Sequence, residues 1–225
     1  MIAPYKGTFR ISQTWNNLRS NGTLHQGFDL VGIADKRLYS PVYGTVVRAG
    51  WENPKNAKQG WGRRVVVRIG KTRFYMYFGH LSSIAVTAGQ TVKPGDLIGI
   101  EGSTGHSTGS HLHWEIRESD NHSLYRDMPQ YSGIPNVTSR TARTSAWDGS
   151  LLGSTTLAAG RNSYPATIHN ATLQARLSDL GFDAGDPDGL FGAKTTAAGK
   201  QFQLSRSLTV DGKVGAKTKA ALFAP

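Results

Sequence analysis

Residues 86–117 read VTAGQTVKPGDLIGIEGSTGHSTGSHLHWEIR, and this stretch decides the fold of the first half of the chain. Residues 97–100 are a short apolar run and 111–116 alternate polar with apolar residues, and glycines at 89, 95, 99, 102, 105 and 109 mark turns around them. Short strands punctuated by glycine turns are the signature of a compact β domain. A strand places residues i and i+2 on one face, roughly 6 to 7 Å apart at ~3.3 Å per residue. His111 and His113 therefore project from the same side of their strand. Such a pair alone is an ordinary strand feature, and its meaning depends on what shares that face.

The same texture extends outward. Residues 45–47, 64–69 and 74–78 read as further strands, with glycines at 44, 50, 60, 62, 70 and 79 between them. Residues 1–130 are expected to form a mainly antiparallel β domain. From 131 to 165 the composition shifts to Ser, Thr, Gly and Ala without an apolar period, which reads as a linker. It leaves room for a short strand and for Trp147 and the Leu151–Leu152 pair to dock on a domain. Beyond 166 the period changes: Leu173, Leu177 and Leu180 recur at helical spacing, and Gly181 follows where a helix-ending glycine belongs. Residues 188–195, DGLFGAKT, return as DGKVGAKT at 211–218. Each Asp-Gly supplies a turn into a helix, and Phe202, Leu204, Leu222 and Phe223 are expected to fill the core of a small all-α three-helix domain over 166–225.

The chain of 225 residues contains no cysteine, so any metal must be held by His, Asp or Glu. Its net charge is +11, concentrated in residues 1–130, where 16 basic side chains face 9 acidic ones. That excess steers the protein toward polyanions such as nucleic acid, anionic lipid or an anionic bacterial wall. No apolar run approaches the ~20 residues of a membrane span or the shorter core of a secretion signal.

HQGFD places His25 four residues before Asp29. Two imidazoles and a carboxylate drawn from this segment and from HLH give zinc three protein ligands and leave a fourth position for water. If His113 is the ligand on its strand, His111 points into the same pocket as a proton acceptor. His80, after a strand and a glycine in YMYFGHLSS, can project from a turn to orient the attacking water or stabilise an oxyanion. A zinc hydrolase is the reading these residues favour.

HQGFDL, SPVYGTVVRAGW, YMYFGHLSS and the 86–117 stretch, in this order, resemble the lysostaphin-type (LytM-like) zinc endopeptidases of bacterial peptidoglycan, across about residues 5–120. The resemblance implies His25, Asp29 and His113 as ligands of one Zn2+ and His80 and His111 as catalytic histidines. Phe78 and Ser110 depart from it, standing where a small residue and a proline are common. The C-terminal repeat resembles the three-helix peptidoglycan-binding domain attached to many wall hydrolases. Together these imply a peptidoglycan endopeptidase acting in the bacterial cell wall, cutting a cross-bridge or stem-peptide bond; a monomer without membrane insertion or nucleic-acid binding is expected. The lack of a signal peptide favours a bacteriophage endolysin made in the host cytoplasm over a secreted autolysin.

The rivals make different demands. A non-catalytic wall-binding module would have lost a ligand or base, and a nucleic-acid binder would use Arg63, Arg64, Arg68 and Arg73. His106 reads as an exposed loop residue. GAKTT and GAKTK lack the spacing of a phosphate-binding loop, and Asp183, Asp186 and Asp188 lack that of an EF-hand.

Overall fold

The computed structural model describes residues 1–119, 124–144 and 149–224. The chain divides into two compact units, Met1–Arg68 with Arg73–Ser145 and Ile69–Thr72 with Ala146–Pro225.

The first unit is built from eleven strands: β1 (Gly7–Gln13), β2 (Phe28–Gly32), β3 (Arg37–Tyr39), β4 (Gly44–Trp51), β5 (Arg63–Ile69), β6 (Tyr75–Gly79), β7 (Ser83–Ile84), β8 (Thr91–Val92), β9 (Leu97–Ile100), β10 (Leu112–Arg117) and β11 (Thr141–Thr144). Eight form one sheet in the order β11-β1-β2-β10-β6-β5-β4-β8, and β3-β9-β7 form a second. The strands expected from 45–47, 64–69, 74–78, 97–100 and 111–116 lie on β4, β5, β6, β9 and β10.

Alternation explains which face is core. On β10, Leu112, Trp114 and Ile116 are fully buried, as are Phe9 and Ile11 on β1 and Phe28 and Leu30 on β2. These apolar side chains take one face of the sheet, each contributing about 1.5–3 kcal/mol by leaving water. Their neighbours on β10, His113, Glu115 and Arg117, occupy the opposite face and are buried as well. A central strand with a second, polar buried face must satisfy those groups there. The register sets Asp29 of β2 beside His113 of β10, and Gly79 of β6 on its other side. Gly27 permits this approach, since a Cβ there would sit 2.5 Å from the Trp114 carbonyl oxygen.

The second unit contains a short 3-10 turn (Gly149–Leu152) and, after a helix α1 (Met128–Ser132) that belongs to the first unit, the helices α2 (Ala166–Asp179), α3 (Ala193–Ser205) and α4 (Ala216–Leu222). Leu152, Leu157, Leu173, Leu177, Phe191, Phe202 and Leu222 form its core. The repeat is structural as well as sequential. In the first copy the Gln174 amide donates to Asp188 Oδ1 at 2.9 Å and Thr195 Oγ1 at 3.1 Å, and accepts from Gly189 N at 2.9 Å. In the second, Gln203 bonds Asp211 Oδ1 at 2.9 Å, Thr218 Oγ1 at 3.3 Å and Gly212 N at 2.8 Å. Each Asp-Gly turn is thus locked by a buried glutamine from the preceding helix.

Two expectations are corrected. Leu204 is 71% exposed, so α3 turns Phe202 rather than Leu204 into the core. Linker takes up less of 131–165 than expected: the short strand that the sequence left room for is β11, paired with β1 through Gly7↔Thr144 to Arg10↔Thr141, and Leu151 and Leu152 are buried, as is Leu157. Four residues of edge strand hold by backbone pairing and need no apolar period, so composition does not bound them. The division falls at 145/146 instead of at 130 and 166. Trp147 lies outside the described residues.

Candidate metal centre and groove

His25, Asp29 and His113 are all buried, and their ligand atoms converge. His25 Nε2 lies 3.1 Å from both His113 Nδ1 and Asp29 Oδ1, and His113 Nδ1 lies 2.9 Å from the same carboxylate oxygen. Three ligands around a tetrahedral ion with bonds of ~2.0–2.1 Å stand ~3.3–3.4 Å apart. The trio already sits within a few tenths of an ångström of that spacing.

The far side of each ring shows where the protons are. His25 Nδ1 is 2.8 Å from the Thr14 carbonyl oxygen, which can only accept, so this nitrogen carries the hydrogen and Nε2 carries the lone pair. His113 Nε2 is 3.1 Å from Glu115 Oε2, so its hydrogen goes outward and the Nδ1 lone pair faces Asp29. With neutral rings, three acceptors then face one another with no donor between them. Such an arrangement suits a cation at its centre. Outer partners that orient ligating imidazoles in this way are the usual companions of metal-binding histidines.

The ionisation of the trio agrees. Burial acts to lower the His113 pKa, yet hydrogen bonds to Asp29 and Glu115 and their charges lift it to about 9. Burial acts to raise the Asp29 pKa, but its bonds to His113 and His25 hold it well below the usual carboxylate range. His25 is pushed down, chiefly by burial. At neutral pH the raised pKa keeps a proton on His113, shared with the Asp29 and Glu115 carboxylates. Glu115 stays ionised because His113 and Arg117 outweigh its burial. Its other oxygen accepts from Arg117 Nε, and Arg117 lies under the rings of Trp61 and Tyr77, 4.7 and 5.0 Å from their centroids.

His80 and His111 stand together beside the trio, their ring centroids 4.6 Å apart. His80 follows β6 with φ of 64°, a left-handed conformation uncommon outside glycine. It is held there by its backbone N–H to the Trp61 carbonyl at 2.8 Å. His80 Nδ1 donates to the Thr104 carbonyl at 2.8 Å, and burial above all pulls the pKa down to about 4. His111 Nδ1 donates to the Gly109 carbonyl at 2.8 Å, and its Nε2 is 3.7 Å from Asp29 Oδ2. At neutral pH His80 is therefore an uncharged ring with its lone pair on Nε2. An open groove of about 410 Å³, lined by Arg10, Ser12, Asp29, Thr108 and His111 among others, runs past this cluster.

All five residues singled out in the sequence are thus brought to one place. Thr14, Thr104, Glu115 and Arg117 were not anticipated. His106 is exposed, and Ser110 donates to Glu101 Oε1 at 2.7 Å. The arginines that suggested nucleic acid are largely engaged within the protein: Arg64 pairs with Glu52 at 3.3 Å, Arg73 with Glu118 at 2.6 Å, and Arg63 lies over Trp51.

Comparison with known proteins places two matches on the chain. Residues 23–124 match Peptidase family M23, and residues 171–222 match a family described as Putative peptidoglycan binding domain. Lysostaphin of Staphylococcus simulans is 33% identical over 114 residues, 48% of this chain and 22% of that protein. Peptidoglycan DD-endopeptidase ShyA of Vibrio cholerae is 40% identical over 139 residues, 59% of this chain and 31% of its own length. Among solved structures, the catalytic domain of Staphylococcus simulans lysostaphin aligns with 30% identity and a TM-score of 0.43, covering 56% of this chain and 89% of that one. The chain spans less than a third of the length of the curated relatives it matches.

Proposed function

We propose that this chain, which matches Peptidase family M23 over residues 23–124 and a putative peptidoglycan binding domain over residues 171–222, is a zinc-dependent endopeptidase that cuts a peptide bond of bacterial peptidoglycan. One observation carries the reading. Three buried acceptor atoms converge at ligand spacing with their hydrogens turned outward, next to two histidines anchored by backbone carbonyls. His25, Asp29 and His113 are the ligands in this reading. Zinc, when bound there, supplies a Lewis acid and a water acidified toward neutrality.

The residues of the chain do the rest. His111, with its Nδ1 hydrogen committed to Gly109, offers the Nε2 lone pair to a proton leaving the nucleophile and can return it to the amine that departs. His80 has the same tautomer and is neutral at pH 7, so it too presents an acceptor. That favours orienting a water proton over stabilising an oxyanion, which needs a donor. The helical domain holds the enzyme on its polymer, raising the local concentration of bonds to be cut.

The test is mass spectrometry of fragments and new amino termini released from purified walls, with and without a zinc chelator. Chelator-sensitive termini restored by zinc are expected. Co-sedimentation with walls of several chemotypes without any new terminus would make the chain a binding module instead.

A further inference from the structure

The floor of the groove is the polar face of the large sheet, and its cations are unevenly committed. Toward β5 and β6, Arg117 is buried against Glu115 and Arg64 is paired with Glu52. Toward β1 and β11 the situation differs. Phe9 and Ile11 point into the core, so Arg10 between them projects from the opposite face and lines the groove with Asp29 and His111. Arg10 is exposed, and among the described residues no carboxylate pairs with it. The register Thr8↔Arg143 beside Arg10↔Thr141 puts Arg143 on the same face, likewise without a described carboxylate.

The rest of the lining gives this cation its meaning. Ser12, Gln13, Asn17, Thr108 and Ser110 are neutral, and the remaining carboxylate, Asp29, is turned to His25 and His113. A chain lying in the groove meets one uncommitted charge, and it is positive. Arg10 pairs with Val31, two residues along β2 from Asp29. One strand spacing of ~4.8 Å and two residues of ~3.3 Å put the two Cα atoms roughly 8 Å apart. That distance equals about two residues of an extended peptide.

We propose that Arg10 is a specificity-determining residue that binds a free carboxylate carried by the substrate about two residues from the bond that is cut. The inference rests on the endopeptidase reading above and narrows its substrate class. It favours a stem peptide with an unamidated acidic residue over an uncharged glycine bridge. The guanidinium fork matches a carboxylate bidentately, which fixes position as well as charge. The general basic excess of the domain attracts an anionic wall but cannot select a register. Arg10 can.

The experiment compares cross-linked stem-peptide dimers that carry free carboxylates with the same dimers fully amidated, using the zinc-loaded 225-residue chain. The wild type is expected to show a kcat/KM ratio of acid to amide of at least about 10, declining as salt screens the pair. In R10Q the ratio falls to within about twofold of one. R10K gives an intermediate ratio, because an ammonium keeps the charge without the fork. Binding of the two dimers to the wild type and to R10Q is measured in parallel by calorimetry. A wild-type ratio near one, or a ratio that survives in R10Q, overturns the assignment. If neither dimer is cut while purified walls still yield chelator-sensitive termini, the stem-peptide assignment is overturned; if walls yield none either, the endopeptidase reading fails and the calorimetric ratio still decides the role of Arg10.

Discussion

Replacing Glu115 by Gln separates two jobs that the structure gives to one carboxylate. Glu115 is fully buried, bonds His113 Nε2 at 3.1 Å and is the ionic partner of Arg117, itself 2% exposed. The amide keeps the volume but has one oxygen for two donors, so either His113 or Arg117 loses its acceptor. Loss of an outer partner of a metal-binding histidine costs ~10–100-fold in affinity, or roughly 1.4–2.7 kcal/mol. A buried guanidinium left without its carboxylate costs about 3–5 kcal/mol of stability. Stability therefore suffers more than metal binding, and at about 2–4 °C per kcal/mol the thermal midpoint should fall on the order of 10 °C. Glu115 also helps to hold a proton on His113, whose pKa of about 9 means that protons compete with metal at neutral pH. Weakening that competition partly masks the loss, so zinc affinity should be measured by chelator competition near pH 9.5. Adding Arg117→Met to Glu115→Gln removes the orphaned charge and should return part of the stability without returning the affinity. A folded E115Q protein that binds zinc within twofold of wild type at that pH refutes the reasoning.

Other expectations follow from the same geometry. His113→Ala should abolish zinc binding and activity together, whereas His111→Ala should keep zinc, measured by elemental analysis, and lose cleavage; stoichiometric zinc in the first or full activity in the second reverses the roles. Gln203→Ala removes the bonds that lock Gly212, Asp211 and Thr218 and should destabilise the helical unit by about 2–4 kcal/mol, read from denaturant midpoints. His169 is buried and pulled down to about 4, chiefly by that burial, while its unfolded value is about 6.5. Its contribution is complete above pH 6.5 and is lost as pH falls toward 4, on the order of 3 kcal/mol. His169→Asn keeps a donor for the Leu151 carbonyl and should flatten that acid limb in hydrogen exchange of α2.

Much of the site was legible because its five histidine and aspartate positions are side-chain chemistry at fixed spacing. What fixes those side chains was less so. Thr14, Thr104 and Gly109 act through carbonyl oxygens, which every residue possesses, so no residue type announces them. Glu115 and Arg117 were within reach: the alternation that pairs His111 with His113 continues to 115 and 117, and four polar groups on one face of an apolar strand demand partners. In the helical domain the repeated octapeptide was plain, but its glutamines were hidden by unequal loops. Gln174 stands 14 residues before Asp188, and Gln203 stands 8 before Asp211. Within 131–165 the sequence left room for a short strand and a docked leucine pair but could not bound them, because β11 and the Leu151–Leu152 turn are too short to show a period.

The two units satisfy buried polar groups in different ways, and the difference predicts where a ligand is needed. In the helical unit each buried glutamine finds donors and acceptors inside the fold, and the Lys219 ammonium is shared by the carbonyls of Leu152, Gly153 and Thr155. Among the described residues of that unit, the buried side-chain atom left without a hydrogen-bond partner is Asn170 Oδ1, a lone amide oxygen and not a cluster of converging acceptors. In the β unit the lone pairs of His25, His113 and Asp29 face one another, and the chain offers only a proton on His113 to separate them. Stability from that proton is complete below pH 6.5 and is lost as pH rises through about 9. A tightly bound dication replaces it and stabilises the folded state by mass action. Chelation above pH 9 should therefore loosen β2 and β10 in hydrogen exchange while leaving α2 and α3 unchanged. Equal loosening of both units, or none in β10, would mean that the three acceptors do not need the cation their geometry suits.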